Sequence, residues 1–266
     1  MKWLIGSMLL LGSCWTWSAT PVVYVAKEQR VQYDRDLYLF EVLALALNAA
    51  NYPANIEPIQ VHPHQQRTLM MLAQGKVDVH WSMTSPEREL LATAIKVPLF
   101  KGYIGKRVLL VNRDQLERFS HIRTLNDLKT LLAVQGHDWP DTKILAHNDL
   151  AVRPIAKYPA MFAMVAAHQA DYFPRSFIEA ASELQSFKQY PLAIVPNLYL
   201  SYPTAFYFFV NKGKPELAEA LEKGLAIIQA DGRFDALFER YFAQSLAALP
   251  LKEAIELPLQ NPFFSD

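Results

Sequence analysis

GKVDVHWSMTSPERELLATAIKVPLFKGYIG, residues 75–105, is the stretch from which the fold is read. Apolar and polar residues alternate over Val77–Trp81, the period of a short buried strand, and a polar turn closes it. Ser85-Pro86-Glu87 then has the order of a helix start: an N-cap hydroxyl, proline at the first helical position, and an acid in the first turn. Arg88 sits in that same turn. A strand feeding a capped helix that carries a guanidinium is a place to hold a small anion. The same residues also describe an ordinary corner, with Arg88 in a salt bridge to Glu87, Glu89 or Asp78.

Working backwards, Val22–Ala26 and Ile56–Val61 read as strands. A helix from Asp36 would bury Leu37, Phe40, Ala44 and Leu47. A second helix, Pro63–Gln74, is stopped by Gly75 at the position that needs a left-handed residue. Strand, helix, strand, helix, strand predicts a mainly parallel sheet with helices on both faces.

Working forwards, Lys106–Asn112 reads as a crossing into a second lobe. There Thr124–Asp127 opens a helix with a capping-box order, and Leu131–Gln135 is a strand. Gly136–Thr142 turns into another helix start, with Pro140 near its first position. A helix over Ala160–His168 leads to a strand Ala170–Phe173 that Pro174 breaks. Ser176 and Glu179 then cap the next helix. Leu192–Val195 and Tyr202–Val210 are the last strands, the second crossing back to the first lobe. Helices follow at Pro215–Ala230, burying Leu217, Leu221, Leu225 and Ile228, and at Phe234–Phe242. The proline-rich tail after Pro250 is expected to lie over the surface.

The 266 residues carry equal numbers of basic and acidic side chains, so no electrostatic footprint for nucleic acid is present. Met1-Lys2-Trp3, the apolar run Leu4–Leu11 and small or polar residues to Ala19 form the three-part pattern of a secretory signal, too short to span a membrane. This predicts an exported protein. Leu11–Cys14 also reads as a lipoprotein box, which would anchor the chain at Cys14. Cys14 is the only cysteine, so a disulfide framework and a thiol nucleophile are both set aside. The histidines show no metal spacing, and neither metal nor cofactor is expected.

An ordered set of motifs resembles the type II periplasmic solute-binding proteins, family 3. It comprises Gly75–Asp78, Thr84–Glu89, Pro98–Gly102, Phe209–Lys212, Leu217–Glu219, Gly224-Leu225 and Asp231–Phe242. The resemblance implies an α/β fold of two lobes, each a mainly parallel sheet flanked by helices, joined by two hinge strands. Residues 20–108 and 203–266 would form lobe 1, residues 109–202 would form lobe 2, and a ligand would lie in the cleft, held by lobe closure. It also implies that Arg88 grips a carboxylate. Three departures stand out: Met83 where a hydroxyl normally assists, Lys27–Arg30 where an aromatic normally stacks, and Gly136–Trp139 in place of the usual small pair.

The candidate ligand residues are Trp81, Thr84, Ser85 and Arg88 in lobe 1, with Asp138, Trp139, Asp141, Thr142, Asp171 and Arg175 in lobe 2. Asp171 stands near the place of the family's amine-binding acid, and the segment Asp171–Ser176 falls at the carboxyl end of a predicted strand. Trp139 offers a face for a cationic or flat group. Packing tryptophans and surface charges explain the same residues. The expected function is capture of a small polar or carboxylate-bearing, amino-acid-like solute by a monomer. An inner-membrane ABC permease or a membrane sensor would be its partner. An interaction module of the same fold, or an exported dehydratase or lyase using Asp138, Asp141 or Asp171, are the rival readings.

Overall fold

The computed structural model describes residues 20–29, 33–62 and 64–264. The predicted signal, Arg30 and Pro63 lie outside the described residues. The first half runs β1 (Val22–Glu28), α1 (Asp34–Ala49), β2 (Asn55–Val61), α2 (Gln65–Ala73), β3 (Val79–Met83), α3 (Pro86–Leu91) and β4 (Thr93–Ile95). A 3-10 turn at Tyr103–Gly105 leads into β5 (Lys106–Asn112). Then come α4 (Leu116–Ser120), α5 (Leu125–Leu128), β6 (Ala133–Gly136), α6 (Pro140–His147), β7 (Val152–Ile155), α7 (Tyr158–Ala166), β8 (Phe173–Ser176), α8 (Ala180–Ser186) and β9 (Leu192–Ser201). The chain closes with β10 (Phe206–Val210), α9 (Pro215–Ala230), α10 (Arg233–Ala247) and β11 (Ile255–Pro258).

The first sheet has the order β2-β1-β3-β10-β4, with β10 antiparallel to both neighbours. The second has the order β11-β9-β5-β8, and β5 is antiparallel to β8 and β9. The parallel pair β6-β7 joins its β8 side through a bridge between Ala133 and Tyr172. Each lobe is therefore mainly parallel with one reversed strand, β10 in one and β5 in the other. A strand that enters a sheet from the opposite lobe arrives head-on to strands wound by right-handed crossovers, which fixes this reversal. The two crossings touch at Gly105, whose amide plane lies so close to Tyr202 that a Cβ there would stand 2.2 Å from the Tyr202 carbonyl oxygen.

Local chemistry explains most boundaries. Gly75 takes φ +71° and ends α2 with bonds from Gly75 N to Leu72 O and from Lys76 N to Met71 O. Ser85 caps α3, accepting from Arg88 N at 3.3 Å, with Pro86 at the first turn. The inward faces expected for α9 and α10 are buried, with Leu217, Leu221, Leu225, Ile228, Phe234 and Phe238 in the core.

Several readings are corrected. α1 buries Leu39, Val42, Leu43, Ala46 and Leu47, while Leu37 is half exposed. The helix is apolar nearly all round, so its period constrains the inward face poorly. Pro174 does not break a strand; it lies within β8 opposite Leu109 of β5, and the bridge from β8's other side to β6 is at Tyr172, so the missing N–H falls beyond that bridge. The tail does not merely cover the surface or stay with the first lobe: β11 pairs in parallel with β9 of the second sheet.

Candidate functional site

The facing ends of the two sheets meet through α3 on one side and the β6–α6 turn on the other. Arg88 is 2% exposed and fully engaged: Nη1 donates to Ser82 Oγ at 2.6 Å and Met83 O at 2.9 Å. Its Nη2 donates to Gln65 Oε1 and, across the cleft, to Asp138 O, both at 2.9 Å. The Asp138 carboxylate in turn accepts from Gln66 N at 3.1 Å. Burial lowers the Arg88 pKa to about 10, against the pull of Asp138, Asp141 and Glu87.

Around this clasp lies a chamber of about 280 Å³ whose wall includes Ser85, Arg88, Asp138, Trp139, Lys143 and Phe263. Glu87 and Lys143 face each other at its rim, 3.5 Å apart. The chamber thus carries cationic and anionic side chains at a size that fits an amino acid, just below the usual range of about 300–1,000 Å³ for drug-sized ligands.

Trp139 separates this outer chamber from an inner cavity of about 50 Å³ lined by Met83, Arg107, Asp141, Arg175, Glu179 and others. Gly136 makes room for the Trp139 ring, since a Cβ there would lie 2.3 Å from a ring carbon. Arg175 stacks on Trp139, its guanidinium carbon 4.9 Å from the ring centre. The inner cavity is ringed by paired charges. Arg175 meets Glu183 at 2.6 Å and Glu179 at 2.9 Å; Arg107 meets Asp141 at 2.6 Å and Glu179 at 3.3 Å. Tyr202 donates to Asp141 at 2.5 Å, and Arg35 from α1 reaches over to Glu179. Burial alone would raise the Glu179 pKa, but Arg175, Arg35 and Arg107 together bring it down to about 2. Burial works against the Arg175 charge as well, and Glu179 and Glu183 more than offset it. This cavity has room for a few waters and not for an amino acid.

The residues expected from sequence therefore divide. Ser85, Arg88, Asp138 and Trp139 meet at the outer chamber, while Asp141, Arg175 and again Trp139 line the inner one. Thr84 and Thr142 serve local structure, donating to Glu89 and to Gly136 O at 2.6 Å. Trp81 is corrected to a core residue, packed edge-on to Phe40 with ring centres 4.9 Å apart. Asp171 is also corrected. It lies before β8, binding Leu132 N at 2.6 Å and Arg118 at 2.7 Å, at the end away from the cleft. Because β8 starts at Phe173, its carboxyl end presents Arg175 and Ser176 instead.

Sequence reading missed Arg35, Arg107, Glu179, Glu183, Lys143 and Phe263. Arg107 had a signal, a charge opening an otherwise apolar strand; Glu179 was masked by its resemblance to a helix cap. Among the described residues, no group of His, Cys, Asp or Glu is arranged to hold a metal ion.

Residues 20–244 match the bacterial extracellular solute-binding proteins, family 3, and the chain belongs to that family. Comparison with curated proteins finds no match. Among solved structures, an ancestral arginine-binding protein bound to arginine superposes with a TM-score of 0.62 at 18% identity, over 83% of this chain and 98% of that one. The GluR0 ligand-binding core with L-glutamate gives 0.63 at 14% identity, over 85% and 99%. A binding component of an ABC transporter from Wolinella succinogenes, complexed with lysine, gives 0.62 at 19% identity, over 84% and 97%. These likenesses establish the two-lobed type II fold.

Proposed function

We propose that the protein is an exported, periplasmic solute-binding protein that captures a small polar, amino-acid-like ligand between its lobes and delivers it to an ABC-type membrane importer. One observation carries this reading: Ser85 and Arg88 from one lobe and Asp138 and Trp139 from the other line a single chamber of about 280 Å³. The family membership and the signal-like first residues support export. Arg88 and Lys143 suit a carboxylate, Asp138 and Glu87 an amine, and Trp139 the body of the ligand. Asp141 and Arg175 act from beneath as a rigid support. Closure would turn on the crossings that touch at Gly105 and Tyr202.

No catalysis is proposed. Asp141 is committed to Tyr202 and Arg107, Asp138 to Gln66, and Asp171 stands outside the cleft. Binding at about 1 μM corresponds to about −8 kcal/mol. A hydrogen bond to a charged group supplies only about 1.5–3 kcal/mol of that, so burial against Trp139 and lobe closure must contribute.

Isothermal titration and thermal unfolding with the twenty L-amino acids, organic acids and polyamines test this. A binding solute at a hundred times its Kd stabilises the protein by about 2.7 kcal/mol. Asp138→Asn and Trp139→Ala are expected to weaken its binding by tenfold or more. Absence of binding across the whole panel at millimolar concentration rejects the reading.

A further inference from the structure

The family match ends at Gln244, yet the chain continues and folds back over the cleft. β11 locks onto β9, Leu259 N donates to Ser201 O at 2.7 Å, and Gln260 exchanges two bonds with Asn148 of the second lobe, at 2.8 and 2.9 Å. Asn261 then donates to Pro203 O at 2.8 Å, beside the crossing between lobes. Phe264 packs against the first-lobe core that contains Leu72 and Phe209. Between these anchors Phe263 enters the wall of the outer chamber, with the Lys143 ammonium 5.4 Å from its ring centre.

We propose that Phe263 is a ligand-contacting, specificity-determining residue, and that the C-terminal segment is a third wall of the solute site beside the two lobes. This rests on the reading of the outer chamber as that site. A ring fixed on both sides by hydrogen bonds and a packed neighbour loses little entropy when a ligand lies against it. Phe263 and Trp139 are the large apolar rings of this wall, beside His137, with ionic groups of both signs around them. The geometry therefore favours an amino acid with an apolar or planar body over glycine or a compact dicarboxylate.

The test uses the full chain and Phe263→Ala, with the L-amino acids as probes. The variant is expected to lose about tenfold in affinity for the best-bound apolar or planar amino acid, with less than threefold change for small ones. Tm without ligand should stay nearly constant, and Phe263→Tyr should recover binding. Unchanged affinity in Phe263→Ala, or a gain showing that the ring obstructs the chamber, overturns the proposal. A ligand-free arm separates this from failure of the solute reading. Acrylamide quenching of Trp139, isolated as the difference between chains with Trp139 and with Trp139→Phe, should rise in Phe263→Ala. If no amino acid binds and quenching still rises, the solute class is wrong while the wall stands. If quenching does not rise, Phe263 does not cover the chamber and the proposal falls.

Discussion

Arg88 donates across the cleft to the main-chain carbonyl of Asp138 at 2.9 Å, so the side chain best suited to grip a carboxylate also clasps the two lobes. A ligand carboxylate that takes this guanidinium would replace an interlobe bond with its own. Binding and closure would then share one residue.

Arg88→Ala removes donors from Ser82 Oγ, Met83 O, Gln65 Oε1 and Asp138 O together. Each buried acceptor left unpaired costs about 1–3 kcal/mol, and some will recover water. We expect a net loss of about 2–4 kcal/mol in urea unfolding, besides weaker solute binding. A residue that only touched the ligand would leave stability nearly unchanged when removed. Arg88→Lys should not restore stability, because an ammonium cannot reproduce the planar fork.

Acid should weaken the fold through Glu179. Its carboxyl is held at about 2, against an ordinary 4.5, so the unfolded chain takes up a proton first as pH falls. The stabilisation is complete above about pH 4.5 and is lost as pH drops towards 2. Glu179→Gln leaves Arg175, Arg35 and Arg107 short of a counter-charge, and a broken buried pair costs about 3–5 kcal/mol. Denaturant midpoints between pH 7 and pH 3 should show the variant weaker at neutrality and with a shallower acid limb.

His80 gives a second, distinguishable limb. It is buried in β3, neither ring nitrogen has a hydrogen-bond partner, and burial with Arg88 and Arg35 lowers its pKa to about 3. The folded protein therefore keeps it neutral where the unfolded chain protonates it, below an ordinary 6.5. Stability should fall as pH drops below 6.5, by at most about 1.4 kcal/mol per pH unit for one proton. His80→Leu should remove this slope between pH 6 and pH 4.5 in urea titrations while leaving the Glu179 limb in place.

Gly136→Ala places a methyl group 2.3–2.6 Å from ring carbons of Trp139. The ring must move, and with it the partition between the chambers and the stack on Arg175. Overpacking of this kind costs about 1–3 kcal/mol. Near-ultraviolet circular dichroism should report the displaced indole, and titration should show at least tenfold weaker binding.

Much of the architecture was legible because it rests on local rules. The cap at Ser85, the stop at Gly75 and the apolar faces of α9 and α10 are properties of a few consecutive residues, and each appears where the chain predicts it. The face of α1 was not legible, since its apolar residues surround the helix and only the neighbouring α9 and α10 select an inward side. Pro174 was misread for a related reason: whether a proline ends a strand depends on whether its N–H side faces a neighbour. Asp171 failed through the same shift in boundary, which exchanged the two ends of β8.

By itself the sequence determined most of the succession of elements, though not β4, β7 or β11, together with the two crossings and a set of ten candidates that includes Ser85, Arg88, Asp138 and Trp139. Periodicity, caps and motif order are encoded within short windows of chain. Only the tertiary structure decided what those residues do. Asp141, Arg107 and the Arg175–Glu179 pair form a neutralised cluster because three distant segments converge, and only the Arg175–Glu179 spacing of four is visible in the chain. Phe263 joins the outer chamber because β11 returns to β9. Arg88, which the sequence offers as a free anion grip, is a clasp because lobe closure brings Asp138 within reach.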